Sequence, residues 1–502
     1  MPNPKARIPS RAFCGLSTLS IQCQSGTISE PENGKDPAFM NPSHNKTVQE
    51  TTTSAFAVEN ETIFPIPEDR RHGNAWSLLM VWIGANQNIM AVMTGLLYPT
   101  ICHLSLGWSL LAILSGNLLG GVFMALHAAQ GPHLGIPQMQ QTRGQFGSTG
   151  SLLIIAIIIL MYVGFTSTFF AISREQIVQV FGPSVSQLPI WISVIVIGAL
   201  CAIGHNVIER FISGFIPIAA ITFVLLAFAY MSASGGHLAL PFWQSPTLHD
   251  FLTALSLGVL WQIAYAPYVS DYTRYLPSAT GERTAFLVCL TGSVIGTSFP
   301  TFIGSYLGST GFSGSMYDAV RPWSPLLPIV LFAIIMISTL VSCTMQIYCA
   351  ALSSLTFLQT FRSNWAPTSR SRAVAAFTLC LCCAVITINL SGNVLQILDN
   401  VIALLLAVLS PWTAINLVDY YLVRHGAYDI PSLFRHDGGV YGRANRPALL
   451  CYAIGVIVQI PFLSNGLYTG SLARDLGGID ISWIIGIFVP SVLYLALARH
   501  RN

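Results

Sequence analysis

The chain has 502 residues, of which 53% are hydrophobic and only 9% are charged. Soluble globular proteins carry roughly 25% charged residues, so this chain lacks the polar groups that would cover a surface in water. Lipid-facing side chains are themselves apolar, and the composition therefore predicts an integral protein of a lipid bilayer. The net charge of +3 and the lack of a long Lys/Arg block argue against nucleic acid as a partner.

Residues 1–74 differ from the rest of the chain because they are rich in Pro, Ser, Thr, Asn and Glu. They contain no apolar run of the length that a secretion signal needs. We predict that they form a mostly disordered cytoplasmic tail. Arg70 and Arg71 mark the point where the chain meets the membrane.

Twelve apolar segments follow the tail, and each approaches the roughly 20 residues that cross a hydrocarbon core of ~30 Å. They lie near residues 75–101, 108–129, 150–172, 189–206, 211–233, 251–270, 284–306, 326–357, 373–390, 395–421, 447–465 and 481–498. The sequence therefore predicts an all-α polytopic membrane protein with a twelve-helix domain over residues 75–499.

The positions of the 23 Lys and Arg residues test this count, because positive residues near spans stay preferentially in the cytoplasm. If both termini are cytoplasmic, 20 of the 23 positive residues lie in cytoplasmic segments. Only Arg174, Arg321 and Arg474 lie on the other side of the membrane. Miscounting by one helix would reverse the side of every later loop. The distribution therefore supports twelve spans, with both termini on the cytoplasmic side of the plasma membrane.

Polar residues interrupt two of the spans. In the first span, Gly84 is followed by three adjacent amides at residues 86–88, and in the sixth span Pro267 follows a Trp-Gln pair at residues 261–262. Proline removes a helical hydrogen bond. Two interpretations of the amides stay open: a broken helix whose free backbone groups line a site, or hydrogen bonds between regular helices. We favour the broken helix.

The two interruptions lie five spans apart, at corresponding places in two halves of the chain. This spacing is typical of an inverted-repeat transporter with its site near the membrane midplane. We predict a first repeat over residues 75–233, a second repeat over 251–421, and two additional helices over 447–499.

Five short motifs resemble those of the nucleobase:cation symporter family 1. They are GPHLGIP at 131–137, RGQFG at 143–147, DYTRYLP at 271–277, IYCAAL at 347–352 and DYYLVR at 419–424. The resemblance extends over roughly residues 70–500. It implies a LeuT-type fold of five plus five helices, and import of cytosine, a purine, uracil, allantoin, a hydantoin or a related heterocycle together with a cation.

The resemblance also implies a substrate site. Tyr162, followed by Gly164, stands where the family usually has a stacking Trp, and Thr166 stands where some members have Gln. Gln262, or Trp261 if the alignment shifts by one residue, is a further contact. Aromatic faces bind a planar base, and amides match its edge. The expected substrate-binding residues are Asn88, Tyr162, Gly164, Thr166, Trp261 and Gln262.

Sodium-coupled family members hold the ion between the first span and the eighth. The resemblance places the ligands at Gly84, Gln87, Ser338, Val341 and Ser342. The family has two neighbouring hydroxyls on the eighth span, whereas this chain offers only Ser342. That deficit argues against sodium, and the scarcity of buried carboxylates argues against protons. We prefer H⁺ to Na⁺, with Asp271 or His127 as the titrating group.

The sequence therefore predicts a secondary active importer of a nucleobase or a related heterocycle. The sequence contains no motif for catalysis, nucleotide binding or a cofactor. Two alternatives stay open: a polytopic membrane enzyme, which requires clustered acidic or His residues, and a sensor that binds solute without moving it. The sequence indicates neither the particular heterocycle nor the oligomeric state.

Overall fold

The computed structural model describes residues 59–310, 315–362, 364–389, 394–464 and 468–499, with only the backbone described for 394–404, 406 and 499. Most of the predicted disordered tail lies outside these residues. The described part of the chain is built from helices and connecting loops, with one isolated bridge between Ser464 and Thr469. The predicted all-α class is confirmed.

The helices follow one another along the chain with short connections. In order they are α1 (Ala75–Ala85), α2 (Ile89–Thr100), α3 (Leu106–Leu134), α4 (Gln138–Phe146), α5 (Ser151–Phe181), α6 (Leu188–Ile203), α7 (His205–Ala233), α8 (Leu248–Ile263), α9 (Val269–Thr273), α10 (Glu282–Ser309), α11 (Met316–Val320), α12 (Leu327–Phe361), α13 (Ser369–Asn389), α14 (Val394–Val418), α15 (Ile430–Leu433), α16 (Arg446–Gln459), α17 (Ser471–Asp475) and α18 (Ser482–Arg499).

Seven helical stretches among the described residues are long and apolar enough to cross a membrane. They are α3, α5, Pro183–Ile203, α7, α10, α12 and α13. Large apolar side chains cover the outer faces: Leu160, Ile195 and Phe488 are 69%, 64% and 66% exposed. Such surfaces need lipid rather than water around them. Several other apolar helices are shorter, partly because two of the expected spans are divided.

The first span is broken, as the amide-rich sequence predicts. Helix α1 ends at Ala85 and α2 begins at Ile89. Asn88 has extended backbone (φ −138°), and its side chain accepts a hydrogen bond from the backbone N–H of Ala91. Asn88 is therefore the N-cap of α2, a position that Asn favours because its side chain satisfies a free helix-terminal donor.

The second interruption divides α8 from α9. Helix α8 ends at Ile263, and α9 begins at Val269 after a turn that contains Pro267. Proline has no backbone N–H to donate, so the helix cannot continue regularly through this position. Backbone groups at both interruptions are consequently available inside the bundle.

Glycines allow the broken helices to approach their neighbours closely. Helices α1 and α2 pack against α10, and α3 packs against both α8 and α10. A Cβ atom added to Gly95 on α2, or to Gly304 on α10, would overlap the backbone of the facing helix. Small residues at helix contacts are the usual means of close packing in membranes. The contacts bury both interruptions among α1, α2, α3, α8, α10 and α12.

The described part of the predicted tail, residues 59–74, is packed against the helices. The side chains of Ile63 and Ile66, which belong to this segment, are buried. The Thr62 hydroxyl donates to the carbonyl of Pro367, and the Ile66 N–H donates to the carbonyl of Gly135. This segment, which we call the N-terminal strap, connects loops that are far apart in the sequence.

Candidate functional site

A cavity lies beside the two helix interruptions, between the end of α1, α2, α5, α8 with its following turn, and α12. Most of its wall is aromatic or apolar. The lining residues are Ala85, Met90, Met161, Tyr162, Phe165, Phe169, Trp261, Ala264, Tyr265, Tyr268, Ser342, Met345 and Gln346. The two interrupted spans therefore contribute to the wall of one cavity.

Aromatic rings surround this cavity at contact distance from one another. The ring centres of Tyr162 and Tyr268 are 5.5 Å apart at an interplanar angle of 63°, and those of Tyr265 and Tyr268 are 5.4 Å apart at 76°. Trp82 meets Tyr265 edge to face at 5.3 Å. Edge-to-face packing holds each ring in a fixed orientation. The wall thus offers rigid ring surfaces suited to a flat molecule.

Asn86, in the break of the first span, fixes the geometry of the site. Its amide nitrogen donates to the carbonyl of Trp82 at 2.8 Å. Its carbonyl oxygen accepts from the indole of Trp261 (3.0 Å), the hydroxyl of Tyr265 (2.6 Å) and the hydroxyl of Thr297 (2.8 Å). One side chain therefore joins the break of the first span to α8, α10 and the second interruption. Sequence reasoning singled out the amide run but not this residue.

Gln346 is the single carboxamide among the described residues that line the cavity. Its carbonyl oxygen accepts a hydrogen bond from the Thr166 hydroxyl at 3.3 Å. An amide has donors and an acceptor, so it can bond to the edge of a heterocycle in two ways. Gln346 is not among the binding residues predicted from the sequence, although it directly precedes the motif at 347–352.

The expected substrate-binding residues occupy different places. Tyr162 and Trp261 line the cavity. Thr166 does not line the cavity, but its hydroxyl donates a hydrogen bond to Gln346, which does. Gly164 and Asn88 are also outside the lining.

Gln262 is not among the residues that line the cavity and belongs to a polar network between helices. Its amide nitrogen donates to Asn117 at 2.9 Å and to the hydroxyl of Thr297 at 3.1 Å, and its oxygen accepts from the hydroxyl of Ser293 at 2.6 Å. In this arrangement the side chain joins α8 to α3 and α10. A contact with substrate would require some of these bonds to be broken.

On the α1 side of the expected cation site, the backbone carbonyl of Ala85 accepts a hydrogen bond from α12. The hydroxyl of Ser342 donates to this carbonyl at 2.8 Å. The carbonyl of Gly84, one residue earlier, accepts the N–H of Gln87 at 3.1 Å. The side-chain amide of Gln87 donates to the carbonyl of Gly296 at 3.1 Å. The break therefore presents the Ala85 carbonyl to α12.

On the α12 side, Ser342 supplies the hydroxyl. The carbonyl of Ser338 lies 3.4 Å from that hydroxyl, and Val341 is a buried apolar residue. The neighbouring Thr339 hydroxyl donates back along its own helix to the carbonyl of Ile335 at 2.9 Å. Thus α12 contributes one hydroxyl, that of Ser342, to the expected cation site, as the sequence indicates.

The two expected titrating groups are buried outside the cavity. The Nδ1 atom of His127 lies 2.8 Å from the carbonyl of Phe123, so this nitrogen carries the hydrogen, and the ring stacks on Trp412 at 5.0 Å. Asp271 accepts the backbone N–H of Gln138 at 2.8 Å. Each is a polar group within the helix packing, and neither is among the residues that line the cavity.

Sequence comparisons identify relatives over most of the chain. A putative purine-cytosine permease of Bacillus subtilis is 36% identical over 463 residues, which cover 88% of this chain and 96% of the relative. A purine-cytosine permease of Saccharomyces cerevisiae is 23% identical and covers 87% of this chain and 85% of the relative. These relatives are permeases, so the chain is a membrane transport protein and not an enzyme.

The fold matches that of a solved transporter. A nucleobase-cation-symport-1 family transporter, in a closed conformation with bromovinylhydantoin bound, superposes with a TM-score of 0.69 and 17% identity, covering 88% of this chain and 95% of the other. The family model for permeases of cytosine/purines, uracil, thiamine and allantoin matches residues 65–486. The family resemblance of the five motifs is thus confirmed, and the chain belongs to this permease family.

Proposed function

We propose that this protein is a secondary active importer of a nucleobase or a closely related planar heterocycle. The observation that carries the proposal is the aromatic cavity at the two helix interruptions, with Gln346 on its wall. A neutral flat base offers two faces and an edge of alternating donors and acceptors. Rings bind the faces, and a carboxamide matches the edge. The names of the purine-cytosine permeases support the same class of substrate.

Individual residues have distinct roles in this proposal. Tyr162 and Trp261 contact the base directly, with Tyr162 stacking on its plane. Thr166 orients Gln346 through the 3.3 Å hydrogen bond, and Gln346 bonds to the edge of the base. Asn86 holds the aromatic wall in position through Trp261 and Tyr265. Gln262 and Asn88 support the helix interruptions and act on the substrate through that packing.

The proposed architecture is twelve spans in two five-helix repeats followed by two helices, within the plasma membrane. Three observations support it. Both helix interruptions are present, and each interrupted span is the first span of one proposed repeat. The Lys/Arg distribution also agrees with twelve spans and cytoplasmic termini. Binding would close the outer side over the base, and rocking of the bundle would then open the inner side. An ion gradient, of H⁺ in preference to Na⁺, supplies the energy.

Uptake of labelled bases tests the proposal. Cells that lack their own base carriers would express the chain, and uptake of cytosine, adenine, hypoxanthine, uracil and allantoin would be measured with and without a proton uncoupler. We expect saturable accumulation of at least one base, and its loss with the uncoupler. Binding of a base to the purified protein without accumulation in cells would instead identify a sensor. Absence of both binding and uptake would contradict the proposed substrate class.

A further inference from the structure

The end of α1 leaves a buried backbone acceptor. The last carbonyl groups of a helix have no partner within the helix, and Ala85 is the final residue of α1. Ala85, Asn88 and Ser342 are 3%, 1% and 5% exposed, so water does not surround this acceptor. A buried carbonyl needs a hydrogen-bond donor or a cation.

The surroundings of the Ala85 carbonyl are rich in oxygen. The Ser342 hydroxyl lies 2.8 Å from it, and the carbonyl of Ser338 lies 3.4 Å from the same hydroxyl. A cluster of carbonyl and hydroxyl oxygens is the kind of donor set that a hard cation prefers. Taken alone, these atoms would suit sodium.

However, the amide nitrogen of Asn88 faces this oxygen cluster. The nitrogen lies 3.0 Å from the carbonyl oxygen of Ala85 and 3.1 Å from the hydroxyl oxygen of Ser342. An amide NH₂ group carries two hydrogens and no lone pair that would coordinate a metal. Its hydrogens satisfy the oxygen atoms that would otherwise coordinate a cation, and they repel a positive ion.

The orientation of the amide is fixed from its other side. The carbonyl oxygen of Asn88 accepts the backbone N–H of Ala91 at 3.0 Å, as the N-cap of α2. A flipped amide would place NH₂ against the Ala91 N–H and oxygen against the Ala85 carbonyl, so both contacts would become repulsive. The nitrogen must therefore face the oxygen cluster for as long as α2 is capped.

We infer that the side-chain amide of Asn88 takes the place of a cation between the end of α1 and Ser342, so that the site does not bind sodium and transport does not depend on sodium. The residues here do not fit a sodium ion, because the Ser342 hydroxyl and the Ala85 carbonyl both already accept hydrogen bonds from the Asn88 amide. The statement about transport rests on the proposed function, whereas the statement about binding does not.

Asn88→Asp gives a direct test because it has the same shape and keeps an oxygen for the α2 cap. It replaces the NH₂ group with a second, negatively charged oxygen that faces Ala85 and Ser342. At an alkaline pH where the carboxyl is ionised, only a bound cation relieves the repulsion between these oxygens. We expect the purified variant to melt at a higher temperature in sodium chloride than in N-methyl-D-glucamine chloride, with a saturable dependence on sodium.

The wild-type protein should show the same melting temperature in both salts. Asn74→Asp is the matched control, because Asn74 is the exposed N-cap of α1 and accepts the N–H of Ser77 away from any such cluster. It should respond to sodium no more than the wild type. If the Asn88→Asp protein is not produced in a folded form, Asn88→Ser serves as the second variant. It keeps a capping oxygen, removes the amide nitrogen and should also gain a sodium response.

Specific stabilisation of the wild type by sodium would overturn the inference, as would a folded Asn88→Asp or Asn88→Ser variant without any sodium response. Base uptake by wild-type cells should also persist when sodium is replaced by N-methyl-D-glucamine, and loss of uptake would overturn sodium independence. If no base is transported in either salt, the proposed function fails, and the melting measurements still decide the site.

Discussion

The carboxylate of Glu59 forms a buried ion pair with the guanidinium of Arg372, with Nη1 of Arg372 3.3 Å from Oε2 of Glu59. The hydroxyl groups of Tyr275 and Tyr348 also donate to the carboxylate, and so does the backbone N–H of His205 at 2.9 Å. The N-terminal strap is therefore anchored by an ion pair to the start of α13, and by hydrogen bonds to the start of α7 and the side of α12. Sequence reasoning assigned no role to Glu59.

Glu59→Gln should destabilise the protein, because it leaves the buried guanidinium of Arg372 without an anion. Removing one partner of a buried pair costs about 3–5 kcal/mol. The melting temperature in detergent measures the effect. Glu61→Gln is the matched control: its carboxylate pairs with Arg70, whose side chain is 62% exposed, and such pairs contribute about 0–1 kcal/mol. Equal melting temperatures for the two variants would contradict the role of Glu59.

The contribution of Glu59 should depend on pH in a defined direction. Burial raises the pKa of Glu59, but the charges of Arg372, Arg274 and His205 outweigh burial and hold the pKa below its ordinary value of 4.5. The unfolded chain therefore binds this proton at a higher pH than the folded chain, so stability rises with pH between the two pKa values. The stabilisation is complete above about pH 4.5 and is lost as the pH falls through the folded pKa.

Melting temperatures of the wild type and Glu59→Gln, measured from neutral to acid pH, check this expectation. Their difference should be constant at neutral pH and should shrink below about pH 4.5. A difference that grows as the pH falls would show that Glu59 is stabilised in its protonated form, contrary to the ion pair.

Tyr162→Ala should weaken binding of the base, because it removes the ring proposed to stack on the substrate. Base–aromatic stacking contributes about 1–3 kcal/mol, so the KM for uptake should rise roughly 5- to 150-fold. Tyr162→Phe keeps the ring and should retain most of the affinity. Leu160→Ala, on the outer face of the same helix, is the control. An unchanged KM in a Tyr162→Ala protein that reaches the membrane would place the stacking surface elsewhere.

Gln346→Ala should alter which bases compete for uptake, because it removes the amide proposed to match the substrate edge. An unmatched polar group on a bound base costs about 1–3 kcal/mol, enough to reorder a competition series. Gln262→Ala is the comparison, since its amide bonds to Asn117, Ser293 and Thr297 instead of facing the cavity. It should lower the melting temperature and leave the order of competitors intact. The reverse pattern would show that Gln262 contacts the base.

The proposed topology places the loop that contains Val440 in the cytoplasm. In a cysteine-less background, Val440→Cys should resist an impermeant thiol reagent in intact cells and react after permeabilisation, since Val440 is 73% exposed. His237→Cys, in the loop after the fifth proposed span, should react in intact cells. Labelling of Val440→Cys in intact cells would show that the orientation or the span count is wrong.

The sequence by itself determined the membrane environment, the places of both helix interruptions and the family. Each depends on local chemistry. Apolar runs require lipid whatever their partners are, and Pro267 or an amide run at residues 86–88 disturbs its own helix directly. Asn88 at the start of α2 follows from the same local rule, because an Asn side chain caps a helix that begins beside it.

Only the tertiary structure decided which donor meets which acceptor. Asn86, Gln87 and Asn88 are chemically similar neighbours, yet one joins the aromatic wall, one bonds to α10, and one faces Ser342. Likewise Gln346 lines the cavity whereas Gln262 does not. Tyr265, which bonds to Asn86, and Ser342, which bonds to Asn88, lie 179 and 254 residues away in the sequence, and close helix packing brings them together. Hydropathy and local motifs contain no information on such pairings, because helix rotation and depth set them and both depend on the whole bundle.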